Sequence, residues 1–136
     1  MKRVYLIIPT DNQVQTDSLL ALSLETAKTY GASSSFLPFT TEALPKITEE
    51  LSKGNGAVVM ENIALDFSNK TKDSSIVIVK GLSLENSPLV SRKLNEMLAL
   101  ALDASVLLVS SKELSLETEC LEKELQENRV RVIAKT

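Results

Sequence analysis

The sequence has no histidine and a single cysteine, Cys120. The first absence excludes Ser-His-Asp and Cys-His catalysis, histidine-based zinc sites and histidine pH sensing within this chain. The second excludes an intramolecular disulfide and every multi-cysteine metal site. A basic block is also lacking. Lys and Arg number 15 against 18 Asp and Glu, for a net charge of -3, and the pI is about 5.1. Such a chain is a poor match for nucleic acid or an anionic membrane. The longest apolar stretches, such as Leu98–Leu102 and Ala104–Val109, fall far short of the ~20 residues that span a bilayer. Met1–Ile8 opens like a signal peptide, but Pro9 and Asp11 end its apolar run too early for an h-region. One thiol and no export signal make the cytoplasm the expected compartment.

What is present is an ordinary globular composition. The chain has 136 residues, 43% of them hydrophobic. A chain of this length buries roughly two-thirds of its unfolded surface and needs no staple to make a core. Short β-branched runs alternate with longer helical segments. Val4–Ile8 is apolar on both faces and stopped by Pro9, as a buried strand of a parallel sheet would be. Thr16 or Asp17 can cap a helix running to about Tyr30, with Leu19, Leu20, Leu24 and Ala27 inward and Gly31 at its exit. Ser34–Leu37 is a weak strand. Thr40 or Thr41 can start a short helix through Ile47 and Leu51, broken at Gly54-Asn55-Gly56. Ala57–Phe67 is ambiguous, and its length with the spacing of Val59, Ile63 and Phe67 favours helix. Ser75–Val79 is the clearest strand. Leu94, Met97, Leu98, Ala101 and Leu102 form an amphipathic stripe. Ala104–Val109 is the next strand. Leu114, Thr118, Leu121 and Leu125 face inward from a final acidic helix, and Val130–Ile133 is the last strand.

Strands alternating with helices predict an α/β fold with three layers and a mostly parallel five-stranded sheet, in one domain over residues 1–136. The chain stops just after its last strand. A parallel edge strand normally needs a covering helix, so the expectation is an excised piece, or a minimal core, of a longer protein, and the resemblance given below implies an N-terminal one.

Ligands of such sheets bind beyond the carboxyl ends of the strands. The positions there are Pro9–Asp17, Phe39, Lys80–Glu85, Ser110-Ser111 and Ala134-Lys135. A phosphate loop needs glycines for close backbone approach, a lysine for charge and a hydroxyl for Mg²⁺. Thr10–Asp17 has neither glycine nor lysine and carries Asp11 and Asp17. The favoured reading makes Asp17 a helix cap and Asp11 a turn residue. Lys80 ends the most buried strand, where an unpaired cation is costly. It is expected to pair with Asp11 or Asp17, and the alternative is an anion-binding lysine. A receiver-type domain would use Asp11, Ser110 or Ser111, and Lys135, but Lys80 stands where its phospho-acceptor belongs. Cys120, with only Lys123 as a basic neighbour, reads as an inert thiol. The glutamates of the last helix read as a solvated face, and Glu119 with Lys123 makes a stabilising i,i+4 pair.

Three segments in order carry a resemblance. Ile7-Ile8-Pro9-Thr10 closes the first strand. Asn69–Asp73 precedes Ile76–Leu82. Leu94–Ala104 is the helix leading into the fourth strand. Together they resemble the N-terminal domain of long-form bacterial phosphate acetyltransferases, which is similar to dethiobiotin synthetase and has the P-loop NTPase fold. The resemblance implies that fold with a degenerate loop. Thr16 falls where an active enzyme has its lysine, Asp17 where it has the Mg²⁺-binding hydroxyl, and Lys80 where it has an acidic residue. Ala134 and Lys135 fall where relatives carry a base-reading asparagine. The degenerate region thus comprises Thr10, Asp11, Gln15, Thr16, Asp17 and Lys80, with no catalytic residue, no metal ligand and no cofactor expected.

The role implied is regulatory and oligomer-assembling, with acetyl transfer between acetyl-CoA and phosphate carried by a separate C-terminal domain. The expected partners are the rest of that enzyme and further copies of the chain, with room for a small-molecule effector that no residue identifies. Nucleic acid and membrane are not expected partners. The alternatives are a stand-alone ATP-dependent enzyme of the dethiobiotin synthetase type and an independent scaffold pairing through a sheet edge or the acidic last helix.

Overall fold

The structure is a computed structural model and describes residues 2–10, 16–84, 88–109, 123, 126 and 131–135. In chain order the elements are β1 (Arg3–Pro9), α1 (Thr16–Ala27), β2 (Ser33–Phe36), α2 (Leu44–Ser52), α3 (Gly56–Lys70), β3 (Ile76–Lys80), α4 (Pro88–Ala101), β4 (Ser105–Val109) and β5 (Arg131–Lys135). Four strands form a parallel sheet in the order β2-β3-β1-β4, and β5 joins it in parallel beside β4, with a register shift at Val106/Leu107. The expected final helix lies outside the described residues, apart from helical Lys123 and Gln126. No described helix is long and apolar enough to cross a membrane.

The central strands are apolar on both faces because helices cover both faces. Val4, Leu6 and Ile8 of β1, Val77 and Val79 of β3, and Val106 and Leu108 of β4 face α2, α3 and α4. Ile7, Ile76, Ile78 and Val109 point the other way, toward Leu19, Leu20 and Ala27 of α1. That alternation gives three layers. Phe36 at the end of β2 meets Phe67 of α3 edge-to-face, ring centroids 5.2 Å apart.

Several local expectations shift. The segment that read as strand or helix is helix, as favoured, with Met60 and Phe67 buried and Val59 and Ile63 packed on the core. α1 ends at Ala27 rather than near Tyr30, and Thr29 Nα bonds back to Thr26 through a turn. α2 starts at Leu44, not at Thr40 or Thr41. Pro45 sits in its first turn, where the missing N–H costs nothing. Thr40 instead closes the preceding turn, accepting the Ala43 N–H on its hydroxyl. Along α4 and just past its end the buried residues are Ser91, Leu94, Asn95, Leu98, Ala99 and Leu102, while Ala101 is exposed. The apolar pattern put Ala101 inward because it passed over two polar residues that are buried.

Gly54 and Gly56 have different jobs. Gly54 takes a left-handed φ of 81° after α2, which glycine adopts without strain. Gly56 begins α3 against α4, where a Cβ would lie 2.8 Å from the Met97 methyl carbon.

Candidate functional site: the carboxyl edge of the sheet

β1 lies between β3 and β4, and the chain leaves β1 toward α1 on one face and β3 toward α4 on the other. The connections diverge between β1 and β3, which is where an open α/β sheet forms its ligand crevice. Thr10 closes the β1 side. Its backbone N–H donates to the Val109 carbonyl at 2.8 Å, and its hydroxyl donates to the same oxygen at 3.2 Å. Asp11 and Gln15 lie outside the described residues, as do Ser110, Ser111 and Cys120. For Thr16, Ala134 and Lys135 only the backbone is described.

Lys80 ends β3 opposite Ile7 of β1. Its Nζ donates to Asp17 Oδ1 at 3.0 Å. The expected partner pair therefore includes Asp17, in the first turn of α1. A carboxylate at a helix N-terminus is stabilised by the unpaired N–H groups and the helix dipole. The contact is open to water, with side-chain exposures of 38% for Lys80 and 91% for Asp17. Exposed pairs of this kind contribute about 0–1 kcal/mol. No group of three or more His, Cys, Asp and Glu residues able to hold a metal gathers among the described residues.

The turn after Lys80 is fastened very differently. The Gly81 N–H donates to the Ile7 carbonyl at 2.8 Å, and the Leu84 N–H to the Pro9 carbonyl at 3.0 Å. Asn95, only 1% exposed, holds Leu82 from both sides. Its Oδ1 accepts the Leu82 N–H at 2.8 Å, and its Nδ2 donates to the Leu82 carbonyl at 2.9 Å. Gly81 is required by proximity: a Cβ would lie 2.9 Å from both Asn95 Oδ1 and the Ile7 carbonyl oxygen. The sequence reading missed Asn95. Its signal was a polar residue in the middle of an apolar helical stripe, following a glycine that terminates a buried strand.

Beside this turn lies an open groove of about 720 Å³ between the β2–α2 connection and the segment after β3. Phe39, Thr41, Leu44, Pro45 and Thr48 line one side of it, and Lys80, Gly81, Leu82 and Ser83 line the other. Of these, only Phe39 and the residues from Lys80 onward were expected at the carboxyl edge.

The strand order separates the fold from a receiver domain, whose sheet runs 2-1-3-4-5. Here β3 lies between β2 and β1. No family model matches the chain, and no curated protein matches it.

Proposed function

We propose that the chain is a non-catalytic regulatory and assembly domain of the P-loop NTPase type, resembling the N-terminal domain of a long-form phosphate acetyltransferase. In this reading it belongs to a longer cytoplasmic enzyme, and another domain transfers acetyl between acetyl-CoA and phosphate. The partners are that domain and further copies of this chain.

The observation that carries the reading is the Lys80–Asp17 ion pair at 3.0 Å. ATP chemistry in this fold needs positive charge and backbone donors at the start of α1 and an acid at the end of β3 to organise Mg²⁺. Here an acid stands at the start of α1 and a lysine at the end of β3. Each charge is opposite to the one required, and the two neutralise each other. The central placement of β1, with its exit loop leading into α1, supports the fold assignment. Val58 and Leu65 on α3 and Leu89 and Leu100 on α4 stand 51–84% exposed. They offer apolar area for an assembly contact to cover.

The test reads the gene past the codon for Thr136 and assays its product. An open frame into a second domain is expected, with acetyl-CoA:phosphate transfer by the full product and none by residues 1–136. A stop codon there, or a full product without acetyl transfer, overturns the assignment.

A further inference from the structure

The Gly54-Asn55-Gly56 break between α2 and α3 is used by neither the carboxyl edge nor the assembly reading. The sequence holds seven asparagines, and Asn55 is the only one followed by glycine. Glycine has no Cβ, so its backbone nitrogen is open to the side-chain amide carbon of the residue before it. Asn55 is exposed, and water reaches it. Gly56 is the first residue of α3, and an N–H at that position has no acceptor within its own helix.

Two fastenings hold the reacting atoms apart. Asn55 Nδ2 donates to Glu50 Oε2 of α2 at 2.9 Å. The Asn55 backbone has ψ 24°, which turns the Gly56 nitrogen away from the Asn55 Cβ, whereas closing a five-membered ring needs it turned toward Cβ. The Val59 N–H donates to the Asn55 carbonyl at 3.1 Å and fixes that angle. Rotation into the reactive geometry must therefore open the first turn of α3.

We propose that Asn55-Gly56 is a site of spontaneous deamidation gated by opening of the first turn of α3. On opening, water takes the Gly56 amide proton and the nitrogen attacks Asn55 Cγ. The N–Cγ bond forms, the Cγ–Nδ2 bond breaks, and Nδ2 leaves as ammonia with the proton returned to it. One water then opens the succinimide at either carbonyl and gives aspartate or isoaspartate. The sum is one water consumed and one ammonia released, with no oxidant or reductant. The product replaces a donor to Glu50 with a carboxylate facing Glu50, and like charges that close repel. Lys53 Nζ lies 3.8 Å from Glu50 Oε1 with its side chain 56% exposed, so it offsets only part of the repulsion. The tie between α2 and α3 is lost. The proposal goes beyond the assembly reading and stands without it.

The test incubates the chain at neutral pH, native and in urea, and follows the amide-to-acid mass change at each asparagine by peptide mapping. Asn55 is expected to convert to aspartate and isoaspartate in both, about tenfold or more faster in urea. Equal rates in the two overturn the gate. An Asn55 still intact in the native chain after about a hundredfold the conversion time in urea overturns the site. The product is mimicked by Asn55→Asp, which is expected to lower the thermal midpoint by about 2–4 °C. Adding Glu50→Gln, which restores a donor, is expected to recover most of that loss. A midpoint that Asn55→Asp leaves unchanged or raises overturns the loss of the α2–α3 tie. None of these readouts involves acetyl transfer, so their failure leaves the acetyltransferase assignment standing.

Discussion

The end of β3 carries two fastenings one residue apart, and they are built on opposite principles. The Lys80–Asp17 pair joins full charges across water-exposed space. The Gly81–Leu82 turn joins neutral amides in a site where Asn95 is 1% exposed. Charge would suggest that the ion pair is the stronger. Burial reverses that order. An exposed ion pair exchanges with hydrated ions almost evenly, whereas a buried backbone amide without a partner bears its full desolvation cost. The turn is therefore the fixed part of the carboxyl edge, and the ion pair is the exchangeable part.

The comparison breaks first at Asn95. Asn95→Ala removes both partners of Leu82 and is expected to cost about 2–4 kcal/mol, seen as a lower urea midpoint with an unchanged slope. A cost under ~1 kcal/mol would mean that water takes over both bonds. Gly81→Ala is expected to cost about 1–3 kcal/mol by overpacking, because its Cβ must push against the Ile7 backbone as well as Asn95. Thermal unfolding checks this. Asp17→Asn is expected to change stability by about 0.5 kcal/mol or less. A double-mutant cycle with Lys80→Met should give a coupling of the same size that shrinks with added salt. A coupling above ~1.5 kcal/mol, insensitive to salt, would invert the comparison.

The sequence showed some of this and hid the rest for physical reasons. β1, β3 and β4 were legible because burial on both faces leaves uninterrupted runs such as Ile76–Val79. β2 was faint because three of its four residues are serine, half-buried or exposed. The Lys80–Asp17 contact was legible as a charge rule: a lysine ending a buried strand needs a counter-ion near the sheet rim, and an acid stands in the first turn of α1, the helix that follows the neighbouring strand β1. Asn95 was hidden because its partners are backbone groups 13 residues away. A polar residue inside an apolar stripe signals a buried bond, but it does not say which main-chain amide is the partner. The groove was hidden because its two walls come from Phe39–Thr48 and Lys80–Ser83, which are brought together only by the pairing of β2 with β3.

The central proposal is that a self-neutralising Lys80–Asp17 pair stands at the carboxyl edge where ATP chemistry would need the opposite charges. Calorimetric titration of the chain with Mg-ATP tests it most directly. The account expects no saturable heat up to millimolar nucleotide, in the native chain and in Asp17→Asn alike. Saturable submillimolar binding by the native chain would contradict it and restore an ATP-dependent enzyme as the function of this fold.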